Sequence, residues 1–350
     1  MNILIFSGLS DKKLLSKISP LVSLEKIKEV YLIRNSRLQY DKVKSLSPPL
    51  LLDVLFLREF IKFIYGFYVC LFKEIDYVIG IYLRPHGIFA WWIGRIFKKN
   101  VIQLLIGNDV DLIEKHPRIF KKLLSKAKNI GVRGNCSKIR ISNIIKQENK
   151  FFIPNNIYSP PKEYRELCNG NKEISVICIA DFTRVKRIDI FLNVILKVKK
   201  KYPEIKAVIL GGDKRRSLYD KRKHKMGLDT NVTFTGIVKD VYSYLGKSKL
   251  FLMTSEAEGL PMAVIEAMSM GLPCIVPDVG DISEVARDGY NAFVVKPLDI
   301  GGFATKVIQL LEDNELYEKM SGNALNTIKK KEEEFSLEYN KRIWGNILGW

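Results

Sequence analysis

Two apolar patterns alternate along the chain. Short continuous runs of Ile, Val and Leu are separated by longer stretches in which apolar positions recur every three or four residues. The runs Asn2–Phe6, Glu29–Ile33, Tyr77–Ile81, Val101–Leu105, Asn129–Val132 and Phe151–Ile153 predict the strands of one sheet. Ser175–Ala180, Ala207–Leu210, Val232–Phe234, Leu250–Met253, Cys274–Val276 and Ala292–Val295 predict a second. Strands that are apolar throughout, with helices between them, are parallel strands covered on both faces. The expected fold class is therefore α/β, with two doubly wound domains facing across a cleft. Pro154–Pro161 (PNNIYSPP) and the polar stretch to Lys172 mark the boundary. The domains expected are 1–158 and 159–335, with a helix over 336–350 packing back on the first. Ligands of open α/β sheets bind beyond the carboxyl ends of the strands, so the loops there hold the candidate chemistry.

A length of 350 residues suits about two domains. The five cysteines are scattered, without a C-x-x-C pair or a Cys/His cluster, which argues against a disulfide framework and a zinc site. The first residues run straight into a strand without a signal-peptide pattern, so a cytoplasmic location is expected. Charge is uneven. Residues 1–150 hold 27 Lys and Arg against 12 Asp and Glu, a net of +15, and the remaining residues net only +4 of the total +19. The basic half also contains the greasy segments Leu50–Phe72 and Ile79–Phe97. Asp53, Arg58, Glu59, Lys62 and Arg84 interrupt them, and a spanning helix needs about 20 mostly apolar residues. Basic residues among Phe, Trp and Tyr instead predict peripheral contact with an anionic membrane at the inner face of the cell membrane. The plainer alternative is a core helix with a solvated basic face. Nucleic acid is not expected as a partner, because zinc-finger, RNP and basic-zipper patterns are absent.

One helix has an unusual composition. After the strand Leu250–Met253, Pro261 suits a helix start and Gly271 its end. Leu260, Ala263, Val264, Ala267 and Met268 form the stripe that packs on the sheet. Glu266 lies off that stripe in an otherwise apolar helix. A buried carboxylate needs partners, and the paired hydroxyls of a ribose would supply them. Glu258 lies at the strand's carboxyl end, where the amides around Gly259–Met262 favour phosphate. The alternative is a solvated Glu258 and a Glu266 paired with a lysine.

The stretch Glu258–Val276 (EGLPMAVIEAMSMGLPCIV) places a Glu, seven residues and a second Glu in sequence, and continues into Val279–Val295 (VGDISEVARDGYNAFVV). With Val232–Asp240 (VTFTGIVKD) and Ala180–Asp189 (ADFTRVKRID), it resembles the retaining glycosyltransferases of family 4, whose two Rossmann-like lobes define the GT-B architecture. The resemblance covers about residues 175–295 and is loose in the first half. It implies that Glu266 holds ribose hydroxyls and that Glu258 lies near the donor sugar. It also implies that the amides of Gly259, Leu260 and Met262 cradle sugar and diphosphate. Lys186 would neutralise the diphosphate leaving group, and backbone around Gly236 and Val238 would contact the base. The chain departs from the family at Ala180-Asp181, where Gly-Arg is frequent. That leaves Arg184 or Arg187 as the partner cation, with Arg184 favoured. Asp281 and Ala292 stand in place of frequent glycines, and the early Gly-Gly loop is reduced to Gly8.

In the first domain, His86 in Arg84–Gly87 (RPHG) and Asp109 in Ile106–Asp111 (IGNDVD) follow strands and would face the cleft. The family frequently has a His and a Gly-x-Asp near these places. A structural His86 is the alternative reading. Asp109-Val110-Asp111 is an Asp-x-Asp triplet without the surroundings of a metal site, and neither a metal nor a cofactor is expected. The expected catalytic set is Glu258, Lys186 and His86. The expected function is transfer, with retention, from a nucleotide-diphosphate sugar to a membrane-associated glycan or lipid-linked oligosaccharide in surface polysaccharide biosynthesis. The rivals are a nucleotide-sugar epimerase of the same fold and a non-catalytic nucleotide-sugar-binding protein.

Overall fold

The computed structural model describes residues 1–49, 55–155, 158, 163, 171–212 and 215–350. Leu50–Val54 of the first greasy segment, and most of the Pro154–Lys172 boundary, lie outside the described residues. The chain divides into two compact units, Met1–Ser159 with Glu333–Trp350, and Pro160–Glu332.

The first unit holds β1 (Asn2–Phe6), β2 (Glu29–Ile33), β3 (Val43–Leu46), β4 (Tyr77–Ile81), β5 (Asn100–Leu104), β6 (Asn129–Gly131) and β7 (Phe151–Phe152). All pair in parallel, in the order β3-β2-β1-β4-β5-β6-β7. The central strands are buried on both faces: Ile3, Leu4, Ile5 and Phe6 have no exposed surface. β3 was not expected, because VKSL at the sheet edge is only half-buried and lacks an apolar run. Helices α1 (Asp11–Val22), α2 (Leu55–Phe72), α3 (Ile88–Ile96), α4 (Asp109–Lys115), α5 (Pro117–Ser125) and α6 (Asn135–Ile145) complete the chain-local layers. α2 lies so close to the sheet that a Cβ on Gly66 would meet the Phe6 ring at 2.2 Å.

The second unit holds β8 (Ile174–Ile179), β9 (Ala207–Leu210), β10 (Val232–Gly236), β11 (Ser248–Leu252), β12 (Cys274–Pro277) and β13 (Ala292–Val295). They too are parallel, ordered β10-β9-β8-β11-β12-β13. α7 (Ile188–Lys199), α8 (Arg216–Lys225), α9 (Tyr242–Gly246), α10 (Met262–Ser269), α11 (Ile300–Glu312) and α12 (Asn314–Lys331) belong to this unit. Its core joins Phe182, Phe191 and Ile195 to Phe303 and Val307.

The last helix, α13 (Leu337–Leu348), belongs to the first unit. Its Trp344 is buried against the Phe152 ring at 5.3 Å, and Leu348 joins the cluster around Ile3, Leu14 and Leu32. Ser336 caps it by accepting from the Tyr339 N–H.

Two local expectations are corrected. Pro261 is the residue before α10 rather than its first turn, with φ −77° and ψ 115°. Lys62 is not part of a solvated basic face, because its side chain is fully buried.

Candidate functional site

In each sheet the order reverses beside the strand that comes first in the chain, between β8 and β11 in the second unit and between β1 and β4 in the first. Chain connections leave such a pair of strands in opposite directions, which opens a crevice at their carboxyl ends.

In the second unit that crevice is bounded by the loops after β8 and β11. The first runs to a short helical turn, Arg184–Lys186, ended by Arg187 in a left-handed conformation with φ 48°. A non-glycine residue there costs backbone energy and must be held. Arg187 donates two hydrogen bonds to Asp189, at 2.9 and 2.8 Å, and one to Glu256 at 3.0 Å. The carboxylates hold the guanidinium charged, and the guanidinium in turn holds Asp189 below the usual carboxylate range. The Glu256 N–H donates to Val185 O at 2.9 Å, and Thr254 Oγ1 donates to Arg187 O at 3.1 Å.

The two loops are thus knit together, and the result is a direct ion pair. Lys186 Nζ lies 2.5 Å from Glu258 Oε1, with the two side chains 26% and 10% exposed. Beneath them Cys178 is fully enclosed, and burial pushes its thiol up to about 12. Nearby Lys186 opposes that shift and Glu258 adds to it.

The loop after β12 supports the Glu258 backbone. The Asp281 N–H donates to Gly259 O at 3.1 Å. Gly280, at φ +60°, packs so tightly that a Cβ would lie 2.0 Å from Glu258 O. Leu260 is buried, while Gly259 and Met262 are partly open at the N-terminal end of α10, where backbone N–H groups have no intrahelical acceptor. Glu266, one turn further on, is half-buried rather than fully buried.

At the end of β10, Gly236 takes φ +78° and accepts from the Gly211 N–H at 2.8 Å. Arg216 reaches the same place, donating to Phe234 O at 2.7 Å. Ile237 beside it is 87% exposed and Val238 is half-buried. Gly211 and Gly212, at φ +117° and +143°, were not singled out from the sequence. A Cβ on Gly211 would lie 2.5 Å from Ala180 O, so only glycine lets the loop after β9 approach the loop after β8. A Gly-Gly directly after a strand was the available signal. Arg184 is exposed and carries no ion pair among the described residues, whereas Arg187 is already committed.

The first unit fills its crevice differently. His86 is 5% exposed, and its ring lies against the loop after β1: a Cβ on Gly8 would meet His86 Cε1 at 2.8 Å. His86 Nε2 is 3.4 Å from Lys62 Nζ, which pairs with Glu59 at 2.5 Å. Burial, then the Lys62 charge, pushes the imidazole down to about 3. An ammonium can only donate, so Nε2 is the acceptor and the ring proton sits on Nδ1. Asp109 is also buried, and its Oδ2 accepts from the N–H groups of Leu83 at 3.0 Å and Ile106 at 2.9 Å. Burial pushes its carboxyl up to about 6 against the pull of those two donors. It ties the loop after β5 to the turn carrying His86. Asp111 points elsewhere and pairs with Arg140, as does Glu114. No cluster of His, Cys, Asp and Glu suited to a metal ion exists among the described residues.

Residues 162–327 match the family model described as glycosyl transferases group 1. Over 274 residues the chain is 24% identical to N-acetyl-alpha-D-glucosaminyl L-malate synthase of Bacillus anthracis, covering 73% of this chain and 70% of that protein. It is 26% identical over 244 residues to poly(ribitol-phosphate) alpha-N-acetylglucosaminyltransferase of Staphylococcus aureus (strain COL). That match covers 69% of this chain and 48% of the relative, about half its length. Among solved structures, Anabaena Alr3699/HepE in complex with UDP-glucose is similar at 15% identity, with a TM-score of 0.78 over 99% of both chains. At that identity the likeness speaks for the fold.

Proposed function

We infer that this chain, a group 1 glycosyltransferase of the GT-B fold, moves a sugar from a nucleoside-diphosphate donor to an acceptor with retention of the anomeric configuration. The observation that carries the reading is the Lys186–Glu258 pair at the switch point of the second sheet. An incoming diphosphate offers Lys186 two anionic groups in place of one carboxylate. Glu258 is then released to accept hydrogen bonds from sugar hydroxyls, while the amides of Gly259, Leu260 and Met262 face the phosphates. Gly236 stands two strands from β8, about 10 Å across the sheet. That span suits a ribose and base, with Glu266 on the ribose hydroxyls and the backbone of Gly236 and Val238 on the base. Arg184, exposed and without an ion pair among the described residues, would complete the diphosphate site.

In the reaction the anomeric carbon–phosphate oxygen bond breaks, and its electron pair leaves with the nucleoside diphosphate. The acceptor oxygen bonds to the anomeric carbon from the same face, and its proton passes to the departing phosphate. Lys186 stabilises the charge that develops on that phosphate, the kind of contribution typically worth several kcal/mol. Within the first unit, Asp109 fixes the turn that carries His86, whose neutral ring keeps its proton on Nδ1. The acceptor we propose is a glycan or lipid-linked oligosaccharide at the cytoplasmic face of a membrane, in line with the basic first half.

Thermal shift with nucleoside diphosphates, their sugars and the matching monophosphates tests the donor site. A bound ligand raises the melting temperature by mass action. The expected result is stabilisation by one diphosphate series, weaker with the monophosphate and lost in Lys186→Ala. An absence of stabilisation by any nucleotide overturns the reading. Retention is checked by NMR: the product's anomeric coupling should match the donor's.

A further inference from the structure

We propose that the outer face of α2, with the adjoining end of α3, docks on an anionic lipid bilayer. The proposal rests on the reading that the acceptor is membrane-borne, and it names the surface that brings the protein there. Along α2, Leu57, Phe60, Ile64, Phe67 and Leu71 are exposed at spacings of three and four residues, with Tyr68 and Phe72 beside them. Phe60 is 52% exposed and Phe72 61%. The opposite side of the same helix, with Lys62, Gly66, Val69 and Cys70, is buried on the sheet. Both sides of the helix carry apolar side chains, and among the described residues only one side is covered by protein. Phe67 meets Phe97 edge-on at 4.9 Å, which joins this stripe to Trp92 and Ile96 on α3, both 48% exposed. From Leu57 to Phe72 the stripe runs about 22 Å along the helix. Monomeric soluble proteins rarely leave so contiguous an apolar patch open.

The rim decides the occupant. Lys73 at the end of α2, and Arg95 and Lys98 at the end of α3, are exposed, and Lys99 is half-buried beside them. Arg95 also lies over the Trp91 ring at 5.6 Å. The acids nearby include Glu74, Asp76, which accepts from the Asn2 N–H, Glu29, which lies near Lys73 but is paired with Lys44, and Glu59, which is held by Lys62. A second copy using the same patch would set this basic rim against itself. An anionic bilayer accepts both parts: aromatic and aliphatic side chains enter the headgroup boundary, and the cations meet lipid phosphates. No described helix is long and apolar enough to cross, so the contact lies along the surface.

The test is co-sedimentation of the full chain with phosphatidylcholine vesicles, with or without phosphatidylglycerol, read together with Trp fluorescence. Binding is expected only to the anionic vesicles, with a blue shift that Trp92→Ala reduces. It should weaken as salt shortens the Debye length. Phe60→Ser with Leu71→Ser, and separately Lys73→Glu with Lys98→Glu, should each lower the partition coefficient about tenfold or more. All four positions are exposed, so thermal shift with nucleoside diphosphates should be unchanged in these variants. Equal binding by the variants, or no binding to anionic vesicles, overturns the proposal. So does a wild-type dimer by size exclusion that Phe60→Ser with Leu71→Ser dissolves. Vesicle binding without any nucleotide response leaves the surface standing and removes the donor reading; the converse removes only the surface.

Discussion

At the switch point of the second unit a cation and a carboxylate meet 2.5 Å apart, and both remain partly open to solvent. At that of the first, an imidazole and an ammonium meet 3.4 Å apart, both buried, with the ammonium neutralised by Glu59. The strand order around the switch point is the same and the electrostatics are opposite. The second unit keeps a charged pair that a ligand can separate. The first spends its charges on fixing loops: Lys62 sets the proton of His86, and Asp109 holds two backbone N–H groups. A shared sheet order thus locates a crevice but does not prescribe its chemistry.

The contrast can be broken most severely at Lys186. Lys186→Ala should lower the transfer rate by roughly 10²–10³-fold, the usual scale for losing one group that stabilises developing charge, with donor turnover as the measurement. Next comes Gly280→Ala, which forces a Cβ into the Glu258 carbonyl at a left-handed position. It should cost about 2–4 kcal/mol, seen as a lower unfolding midpoint in denaturant, and it should weaken nucleotide binding more than an equally destabilising change in the first unit.

A third measurement uses pH to read the two buried groups of the first unit. His86 has a folded pKa of about 3, below its unfolded value. The unfolded chain therefore binds the extra proton, and stability is lost as pH falls from about 6.5 toward 3. Asp109 behaves oppositely: with a folded pKa of about 6 it is protonated more readily when folded, so its contribution is lost as pH rises from about 4 to 6. Asp109→Asn should remove that loss and steepen the net rise of stability with pH over this window. The smallest effect expected is that of Arg184→Ala, an exposed side chain: about a tenfold rise in donor KM with little change in folding.

Much of the fold was legible because parallel strands are continuous apolar runs. Asn2–Phe6, Glu29–Ile33 and Tyr77–Ile81 appear with the bounds the pattern predicts. β3 was missed because an edge strand of VKSL buries too little to show a pattern. The motif residues Lys186, Glu258 and Gly236 were legible as types on loops. Their mutual geometry was not, because it depends on Arg187 being left-handed and on Glu256 closing back on Val185. Lys62 was misread for a related reason. On a helical wheel it is one more base among aromatics, and only the fold reveals Glu59 and His86 as its partners. Glu266 sits in an apolar helix, but α10 has one side open enough to leave it half-buried.

The seating of α13 in the first unit has a consequence for biosynthesis. On the ribosome the N-terminal sheet is made first, yet the Trp344 and Leu348 that complete its core emerge more than 180 residues after β7. The first unit cannot complete its core until its neighbour has been synthesised. Until then Phe152 and the cluster around Ile3, Leu14 and Leu32 lack the side chains of α13 that cover them.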